Sequence, residues 1–402
     1  MLRTLRSVLR FRRRARTRAE RLRADAANID DLRRLARRRL PGGVFDYIDG
    51  GAEDEVTMRA NSDAFRRWNF APRVLRDVSH VDTSTTLLGR RLPFPLVLAP
   101  AGFTRMPDPD GELSVARSAA RAGLPYCLST VATRSIEEVA AAADGCHWFQ
   151  LYPLRDRGLT RELVQRAADA GYQGMMPTVD MAVSGRRERD VRRGFTLPPQ
   201  IGLGTILDGI RHPGWTWRFI RSEPIVFSNV MGRSAPDGTT PVALADFINT
   251  QFDPGFSWRD VAWLRDAWQG ALVIKGIQTV ADARIAADHG CDAIVVSNHG
   301  GRQLDGAPPA LDLVAPVKDA VGDRAAVICD GGVRRGGDIV KALALGADAC
   351  MAGRAYLYGL GAGGEAGVDY AIELLAEEMN RTMALIGCTS VAQIGRAHVA
   401  PA

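Results

Sequence analysis

Residues 271–303 read ALVIKGIQTVADARIAADHGCDAIVVSNHGGRQ, with one short apolar run before an alanine-rich stretch and another after it. The runs, Leu272–Lys275 and Ala293–Ser297, have the length of buried strands. The stretch between them has the composition of a helix. Two apolar strands joined by a helix are typical of a parallel sheet, because a parallel connection needs a crossover of about this length.

The same alternation of apolar runs and helical stretches extends over most of the chain after about residue 90. Six further runs are Pro95–Pro100, Pro125–Ser129, His147–Tyr152, Gly174–Asp180, Ala326–Asp330 and Ala349–Ala352. Eight strands that alternate with helices predict an α/β fold, a (β/α)8 TIM barrel of parallel strands. A helix over Ile29–Arg39, ended by Pro41-Gly42-Gly43, is predicted to precede the barrel as an N-terminal helical segment.

The alternation is interrupted by a long insertion after strand 4, over about residues 188–262, which is too long for an ordinary loop. The insertion contains Trp215, Trp217, Phe219 and Ile220 beside Arg218 and Arg221. An active-site lid, a subunit contact or a membrane-facing patch would explain it, and a small subdomain with an aromatic core is the alternative. The predicted organisation is a basic N-terminal extension (1–28), an enzyme domain (29–394) that holds the insertion, and a C-terminal tail (395–402).

Positive charge is concentrated at the N-terminus. The net charge is +6, yet residues 1–23 hold ten arginines and the single acid Glu20, so the rest of the chain is slightly negative. Leu2, Leu5 and Leu9 fit one face of a basic amphipathic helix on anionic lipid, with a solvated tail or a mitochondrial transit peptide as alternatives. Phe11 is the only aromatic residue there, so we predict no nucleic-acid partner.

The overall composition is that of a large globular enzyme. The 402 residues are 46% hydrophobic, which is enough for a substantial core. Six scattered cysteines without a C-x-x-C pair indicate a reducing compartment and predict no metal site. Because the sequence has no apolar run of eighteen residues and no apolar signal segment, we predict a cytoplasmic protein or one attached to the inner face of the cell membrane.

Candidate catalytic residues follow the predicted strands, at the barrel end where such enzymes place their chemistry. His299 follows Ala293–Ser297 directly, and Arg302 comes three residues later. A lone histidine is more often structural, but this one is well placed to act as a base beside a carboxylate-binding guanidinium. Asp180 ends the fourth run, where a carboxylate could orient an imidazole or cap a helix.

Three further strand ends carry charge. Lys275 closes a buried run and could face an anionic cofactor or form an ion pair. Asp330-Gly331-Gly332-Val333-Arg334 and Gly353-Arg354 follow the last two strands, the usual phosphate site of a barrel. Glycine lets backbone N–H groups approach phosphate oxygens, and arginine adds charge-assisted hydrogen bonds, so we predict a phosphate site here. Arg187, within a run of charged residues, would by itself indicate only a solvated surface.

These segments together resemble the FMN-dependent 2-hydroxy-acid oxidases and dehydrogenases, from about Ile29 to Ile394. The motifs that carry the resemblance are Phe45-Asp46-Tyr47, Gly51-Ala52-Glu53-Asp54, Phe149-Gln150-Leu151-Tyr152, Thr178-Val179-Asp180, Lys275-Gly276, S-N-H-G-G-R-Q at 297–303 and D-G-G-V-R-R-G at 330–336. The resemblance implies FMN as the cofactor and oxidation of a small 2-hydroxy acid to the 2-keto acid.

The resemblance also implies a role for each site residue. His299 would be the catalytic base, paired with Asp180, and Lys275 would face the N1/O2 edge of the flavin. Substrate contacts would come from Arg187 and Arg302 on the carboxylate and from Tyr47 and Tyr152. The remaining cofactor contacts would be Pro100, Ala101, Gly102, Ser129, Gln150, Thr178, Ser297, Asp330, Gly332, Arg334, Gly353 and Arg354.

The substrate prediction depends on Val131, which stands where glycolate oxidase-like sequences have tryptophan. The smaller side chain leaves room for a larger substrate and resembles bacterial, in particular actinobacterial, L-lactate dehydrogenases. Met181-Ala182 departs from the Thr-Pro or Val-Pro that often follows the aspartate. We therefore predict oxidation of L-lactate to pyruvate, with electrons passed through FMN to a quinone or cytochrome. The alternatives are an oxidase that uses O2 and releases peroxide and an enzyme for a larger biosynthetic substrate; the family also implies a homotetramer.

Overall fold

Eight parallel strands close into a barrel in the computed structural model, which describes residues 17–194, 202–230 and 251–402. The strands are β1 (Trp68–Phe70), β2 (Thr85–Leu87), β3 (Arg90–Leu92), β4 (Leu96–Leu98), β5 (Tyr126–Ser129), β6 (His147–Leu151), β7 (Gly174–Pro177), β8 (Ala271–Ile277), β9 (Ala293–Ser297), β10 (Ala326–Asp330), β11 (Ala349–Ala352) and β12 (Val399–Pro401). Strands β4 to β11 form the barrel in chain order, and β11 pairs with β4 to close it. The predicted TIM barrel is confirmed, and each of the eight predicted runs coincides with or overlaps one barrel strand.

Helices precede the barrel and connect its strands. Those before it are Arg18–Asp25, Ile29–Arg39, Gly42–Asp49 and Val56–Arg66. The others in the described ranges are Gly111–Arg121, Ile136–Ala142, Arg157–Asp169, Glu188–Arg192, Leu203–Arg211, Pro213–Arg221, Trp258–Ala267, Val280–Asp288, Ala310–Val321, Gly336–Ala344, Arg354–Gly363 and Glu365–Ile386, with 3-10 turns at Val391–Gln393 and Arg396–His398. Local side chains define several of the helix starts; at Ile136, for example, Ser135 and Glu138 form a reciprocal capping box.

The helix Ile29–Arg39 confirms the predicted N-terminal helical segment. Asn28 caps this helix by accepting a hydrogen bond from the backbone N–H of Asp31. The buried face of the helix packs on the helix Arg354–Gly363. Close packing depends on glycine, since a Cβ on Gly361 would lie 2.8 Å from Leu40 Cδ1. The helix Arg18–Asp25 lies within the predicted basic extension; the amphipathic face predicted from Leu2 to Leu9 lies outside the described residues.

The interior of the barrel contains an apolar layer to which all eight strands contribute. Its members, one from each strand, are Val97, Cys127, Trp148, Met176, Val273, Val295, Ile328 and Met351. Successive side chains of a strand point to opposite faces, so the residue two positions further along each strand also points inward. These next residues are Ala99, Ser129, Gln150, Thr178, Lys275, Ser297, Asp330 and Gly353. A polar layer therefore lies directly above the apolar one, at the C-terminal end of the barrel.

Two antiparallel strand pairs lie outside the barrel and were not predicted from the sequence. The hairpin β2–β3 contributes Leu87 and Leu92 to the cluster of buried residues inside the barrel. Strand β12 pairs with β1, and this pairing joins the segment predicted as a C-terminal tail to the first part of the domain. Within the described ranges, no helix has both the length and the apolar character needed to cross a membrane.

Candidate active site

A deep cleft opens above the polar layer, where the C-terminal ends of the barrel strands converge. The cleft and the open solvent at its mouth together occupy about 1350 Å³. Every predicted site residue lines the cleft except Asp180 and Ser297. Those two lie directly behind the lining residues His299 and Lys275, to which they are hydrogen-bonded.

His299 and Asp180 form a buried hydrogen-bonded pair. His299 Nδ1 lies 2.9 Å from Asp180 Oδ1, and because a carboxylate accepts, Nδ1 carries the proton. Nε2 is then a lone-pair acceptor, 3.4 Å from the hydroxyl of Tyr152. Burial opposes ionisation of Asp180, but its interactions with His299 and Lys275 outweigh burial and hold the pKa of that carboxyl below its usual value. The geometry leaves one imidazole nitrogen available as a base.

The backbone around this pair is arranged to bring the two groups together. His299 has a φ of +60°, a left-handed conformation that is uncommon for a residue with a side chain. Gly276 has a φ of +104°, and a Cβ there would lie 2.7 Å from both Cβ and Cγ of Asp180. The glycine in the Lys275-Gly276 motif is therefore required for Asp180 to approach His299. Gln303 Nε2 donates to the carbonyls of Asp180 and Val183 and ties the two loops together.

Lys275 is buried in a three-residue polar network. Its Nζ donates to Ser297 Oγ at 3.0 Å and pairs with Asp330 Oδ2 at 3.1 Å, while Ser297 Oγ donates to the same carboxylate at 2.8 Å. Burial lowers the pKa of the Lys275 ammonium, but Asp330 and Asp180 outweigh that effect and raise it. Both interpretations of Lys275 therefore apply: it forms an ion pair, and it presents a fixed positive charge at the cleft.

Two guanidinium groups flank the ring of Tyr47. Arg302 lies 5.1 Å and Arg187 5.7 Å from the ring centroid. Arg302 is anchored by hydrogen bonds to the carbonyls of Tyr47 and Gly50, and burial together with Arg187 lowers its pKa to about 10. Two adjacent cations at one cleft favour an anion between them, such as a carboxylate. Arg187 is thus part of the site rather than of a solvated surface.

Gln150 has an unused hydrogen-bond donor beside the cleft. Its Oε1 accepts from Ser129 Oγ at 3.0 Å and from the backbone N–H of Thr130 at 3.3 Å, which defines the orientation of the amide. Its Nε2 is buried and has no partner among the described residues. Since an unsatisfied buried donor costs about 1–3 kcal/mol, a ligand with an acceptor is favoured at this position. A carbonyl or ring nitrogen of an isoalloxazine meets that requirement, so the residues present fit FMN.

The predicted phosphate end of the cleft depends on glycine. Gly331 and Gly332 have φ angles of +124° and +83°, and a Cβ on Gly332 would lie 2.2 Å from the carbonyl oxygen of Asn61. Arg334 donates to its neighbouring carbonyl of Val333 and lies 5.7 Å from the ring of Tyr358.

Arg354 combines a structural role with its place at the cleft. Its three nitrogens donate to the carbonyls of Ile48, Gly50 and Gly300. Arg354 therefore joins the loop of His299 to the helix that carries Tyr47. Two of its five N–H groups remain for a ligand.

Some functional neighbours had no recognisable signal in the sequence. Asn61 and Asn298 exchange two amide hydrogen bonds of 2.8 and 2.9 Å and hold the His299 loop on the helix Val56–Arg66. Asp49 pairs with Arg33 and accepts from the hydroxyl of Tyr358. Burial raises its pKa, but these partners outweigh burial and lower the pKa to about 2. The asparagine pair therefore supports the His299 loop, and Asp49 supports the helix Gly42–Asp49 that carries Tyr47.

The insertion has one face on the barrel and one exposed face. Trp215 is half-buried, and its indole N–H donates to the carbonyl of Met106 at 2.8 Å. Trp217, two residues later, is 58% exposed. Phe227 and Phe252 are buried and line the cleft. The packed-subdomain interpretation therefore applies to Trp215 and to Phe219, which stacks on it, but not to Trp217. The insertion also forms part of the wall of the site.

A parallel barrel whose strand ends present a histidine–aspartate pair, two arginines and glycine loops in one cleft has the arrangement of an enzyme that oxidises an anionic substrate at a flavin. The sequence profile of the FMN-dependent dehydrogenases matches residues 36–401, and the chain belongs to that family. It is 47% identical to an L-lactate dehydrogenase of Caulobacter vibrioides over 93% of this chain and 97% of that protein. It is 41% identical to an (S)-mandelate dehydrogenase of Pseudomonas putida, over 91% of this chain and 92% of that protein. A crystal structure of the monotopic membrane protein (S)-mandelate dehydrogenase superimposes with a TM-score of 0.91 at 39% identity, over 94% of this chain and all of that one.

Proposed function

We propose that the protein oxidises L-lactate to pyruvate and that His299 is the base. The observation that carries this proposal is the orientation of one imidazole. Its Nδ1 is bound to buried Asp180, and its Nε2 faces a cleft that also presents Arg302 and Arg187. A base opposite a carboxylate-binding pair is the arrangement that a 2-hydroxy acid requires, because its ionised carboxylate and its reacting C2 are adjacent atoms.

The substrate is bound and deprotonated by the residues of this cleft. Arg302 and Arg187 bind the carboxylate, and the hydroxyl of Tyr152 orients the substrate oxygen beside Nε2 of His299. His299 accepts the proton that the substrate loses, and the charge of Asp180 stabilises the resulting imidazolium. FMN, when bound, supplies the two-electron acceptor for this oxidation. Gln150, Ser129 and Thr178 would hold its ring system, Lys275 would offset negative charge on it, and the glycine loops with Arg334 and Arg354 would hold its phosphate.

We further propose that the protein attaches to the inner face of the cell membrane and passes its electrons to a quinone or cytochrome there. The helices Leu203–Arg211 and Pro213–Arg221 support this proposal, because they expose Leu203, Ile206, Leu207, Ile210, Trp217 and Ile220. Arg211 and Arg221 are exposed beside these apolar side chains, as anionic headgroups would favour. The related mandelate dehydrogenase is described as a monotopic membrane protein. The N-terminal arginines remain the alternative means of attachment, and the homotetramer remains a prediction.

The identity of the electron acceptor can be tested with the purified holoenzyme and L-lactate. We expect a soluble quinone analogue or dye to be reduced much faster than peroxide is formed in air. Peroxide produced in step with each pyruvate would instead establish an oxidase. If lactate is not oxidised while a bulkier 2-hydroxy acid is, the substrate assignment is wrong and the larger-substrate alternative holds.

A further inference from the structure

Phe227 belongs to the insertion and lies on the substrate side of the cleft. It lies six residues beyond the helix Pro213–Arg221, is only 4% exposed and lines the cleft. Its ring meets that of Phe103 edge-on, with centroids 4.6 Å apart and planes at 72°. An apolar ring from a surface insertion is therefore built into the wall of the site.

The chain on both sides of Phe227 is held to the barrel loops. Arg105, itself 3% exposed, donates to the carbonyl of Glu223 at 2.7 Å, to that of Pro224 at 3.2 Å and to that of Pro109 at 3.1 Å. After Phe227, the backbone N–H of Ile136 donates to Asn229 Oδ1 at 2.9 Å. A buried guanidinium that binds three carbonyls fixes the backbone, so the ring of Phe227 has a defined position.

Phe103 connects this ring to the substrate-binding groups. It has a φ of +56°, a conformation that costs about 1–3 kcal/mol for a residue with a side chain and that persists only where the surroundings impose it. Its ring packs edge-on against Tyr47 at 5.6 Å, and the guanidinium groups of Arg302 and Arg187 lie 5.1 and 5.7 Å from the Tyr47 ring. Tyr47, Phe103 and Phe227 therefore form a continuous row of rings that starts at the carboxylate-binding pair.

We propose that Phe227 is a specificity-determining residue that ends the apolar arm of the substrate pocket and limits the length of the side chain on C2. This inference rests on the proposed function. A substrate held at Arg302 with C2 beside His299 directs its side chain along Tyr47 and Phe103. The methyl group of lactate stays near the first ring, whereas a longer alkyl chain extends to Phe227.

The test compares two substrates across matched variants of the FMN-loaded enzyme. The quantity is the ratio of kcat/KM for (S)-2-hydroxyoctanoate to kcat/KM for L-lactate, in wild type, Phe227→Ala and Phe227→Leu. We expect the ratio to rise by about tenfold or more in Phe227→Ala and by less in Phe227→Leu, since one methylene of pocket space is worth roughly 10–200-fold in discrimination. Phe219→Ala is the control, because Phe219 belongs to the same insertion, stacks on Trp215 and does not line the cleft.

Each outcome either supports or overturns the inference. A ratio that stays within about twofold of wild type in both Phe227 variants, with an unchanged flavin spectrum and melting temperature, overturns it. An equal rise in Phe219→Ala also overturns it, since the effect would then be a general loosening of the insertion. If Phe227→Ala does not retain flavin, the ratio measured for Phe227→Leu decides whether the inference holds. A wild type that oxidises neither acid contradicts the proposed function instead, so the two failures are distinguishable.

Discussion

The barrel strand ends and the insertion build one cleft by different means. In the barrel, Lys275, Ser297 and Asp330 point to the interior because they lie two residues beyond the apolar layer, and side-chain hydrogen bonds join them beneath the cleft. In the insertion, Phe227 is placed by Arg105, which binds carbonyl groups rather than side chains. Strand alternation thus positions the groups for chemistry, while irregular backbone held by a buried cation forms the far wall.

Because the two regions are built differently, we expect them to control different properties of the enzyme. The barrel residues are charged or hydrogen-bonding groups. The rate of a reaction depends on the positions of such groups to within a fraction of an ångström. The insertion contributes an apolar ring on its inner side and exposed apolar residues on its outer side. We therefore expect changes in the barrel layer to affect the rate of oxidation with every substrate. Changes in the insertion should affect which substrate is used and where the enzyme resides.

The largest effect is expected for Asp180→Asn. The amide preserves the shape of Asp180 but cannot stabilise a protonated His299, so kcat should fall by about 10²–10⁴-fold with lactate and with longer acids alike. Steady-state dye reduction measures this, with Asp323→Asn as a control because Asp323 is fully exposed on the surface. A loss confined to one substrate would show that the barrel layer also determines specificity, which contradicts the expected division of roles between barrel and insertion.

The smallest effect on catalysis is expected from the outer face of the insertion. Leu203→Ser with Ile210→Ser removes the apolar character of two side chains that are 81% and 67% exposed. We expect less protein on anionic lipid vesicles and unchanged dye-linked turnover, because neither residue lines the cleft. Leu385→Ser, at a residue of similar exposure on the helix Glu365–Ile386, is the matched control. If only deletion of residues 1–23 releases the enzyme, the N-terminal arginines hold it on the membrane instead.

The sequence predicts those parts of the molecule that follow a regular period. Strands β9, β10 and β11 have the predicted bounds, and the position of His299 after β9 follows from them. Pairs that are distant in sequence could not be predicted: Asn61 with Asn298 is one, and β1 with β12 is another. The place of Phe227 in the cleft could not be predicted, because the residue lies in an irregular stretch that follows no hydrophobic period and matches no motif. Its role depends on Arg105, more than a hundred residues earlier in the chain.

The assignment of His299 as the base is tested by anaerobic mixing of the FMN-loaded enzyme with L-lactate, for wild type and for His299→Gln. We expect lactate to bleach the visible absorption of the oxidised flavin in wild type. In His299→Gln, flavin should remain bound, and bleaching should be slower by about 10²-fold or more. Bleaching of His299→Gln at the wild-type rate would contradict the assignment of His299 as the base.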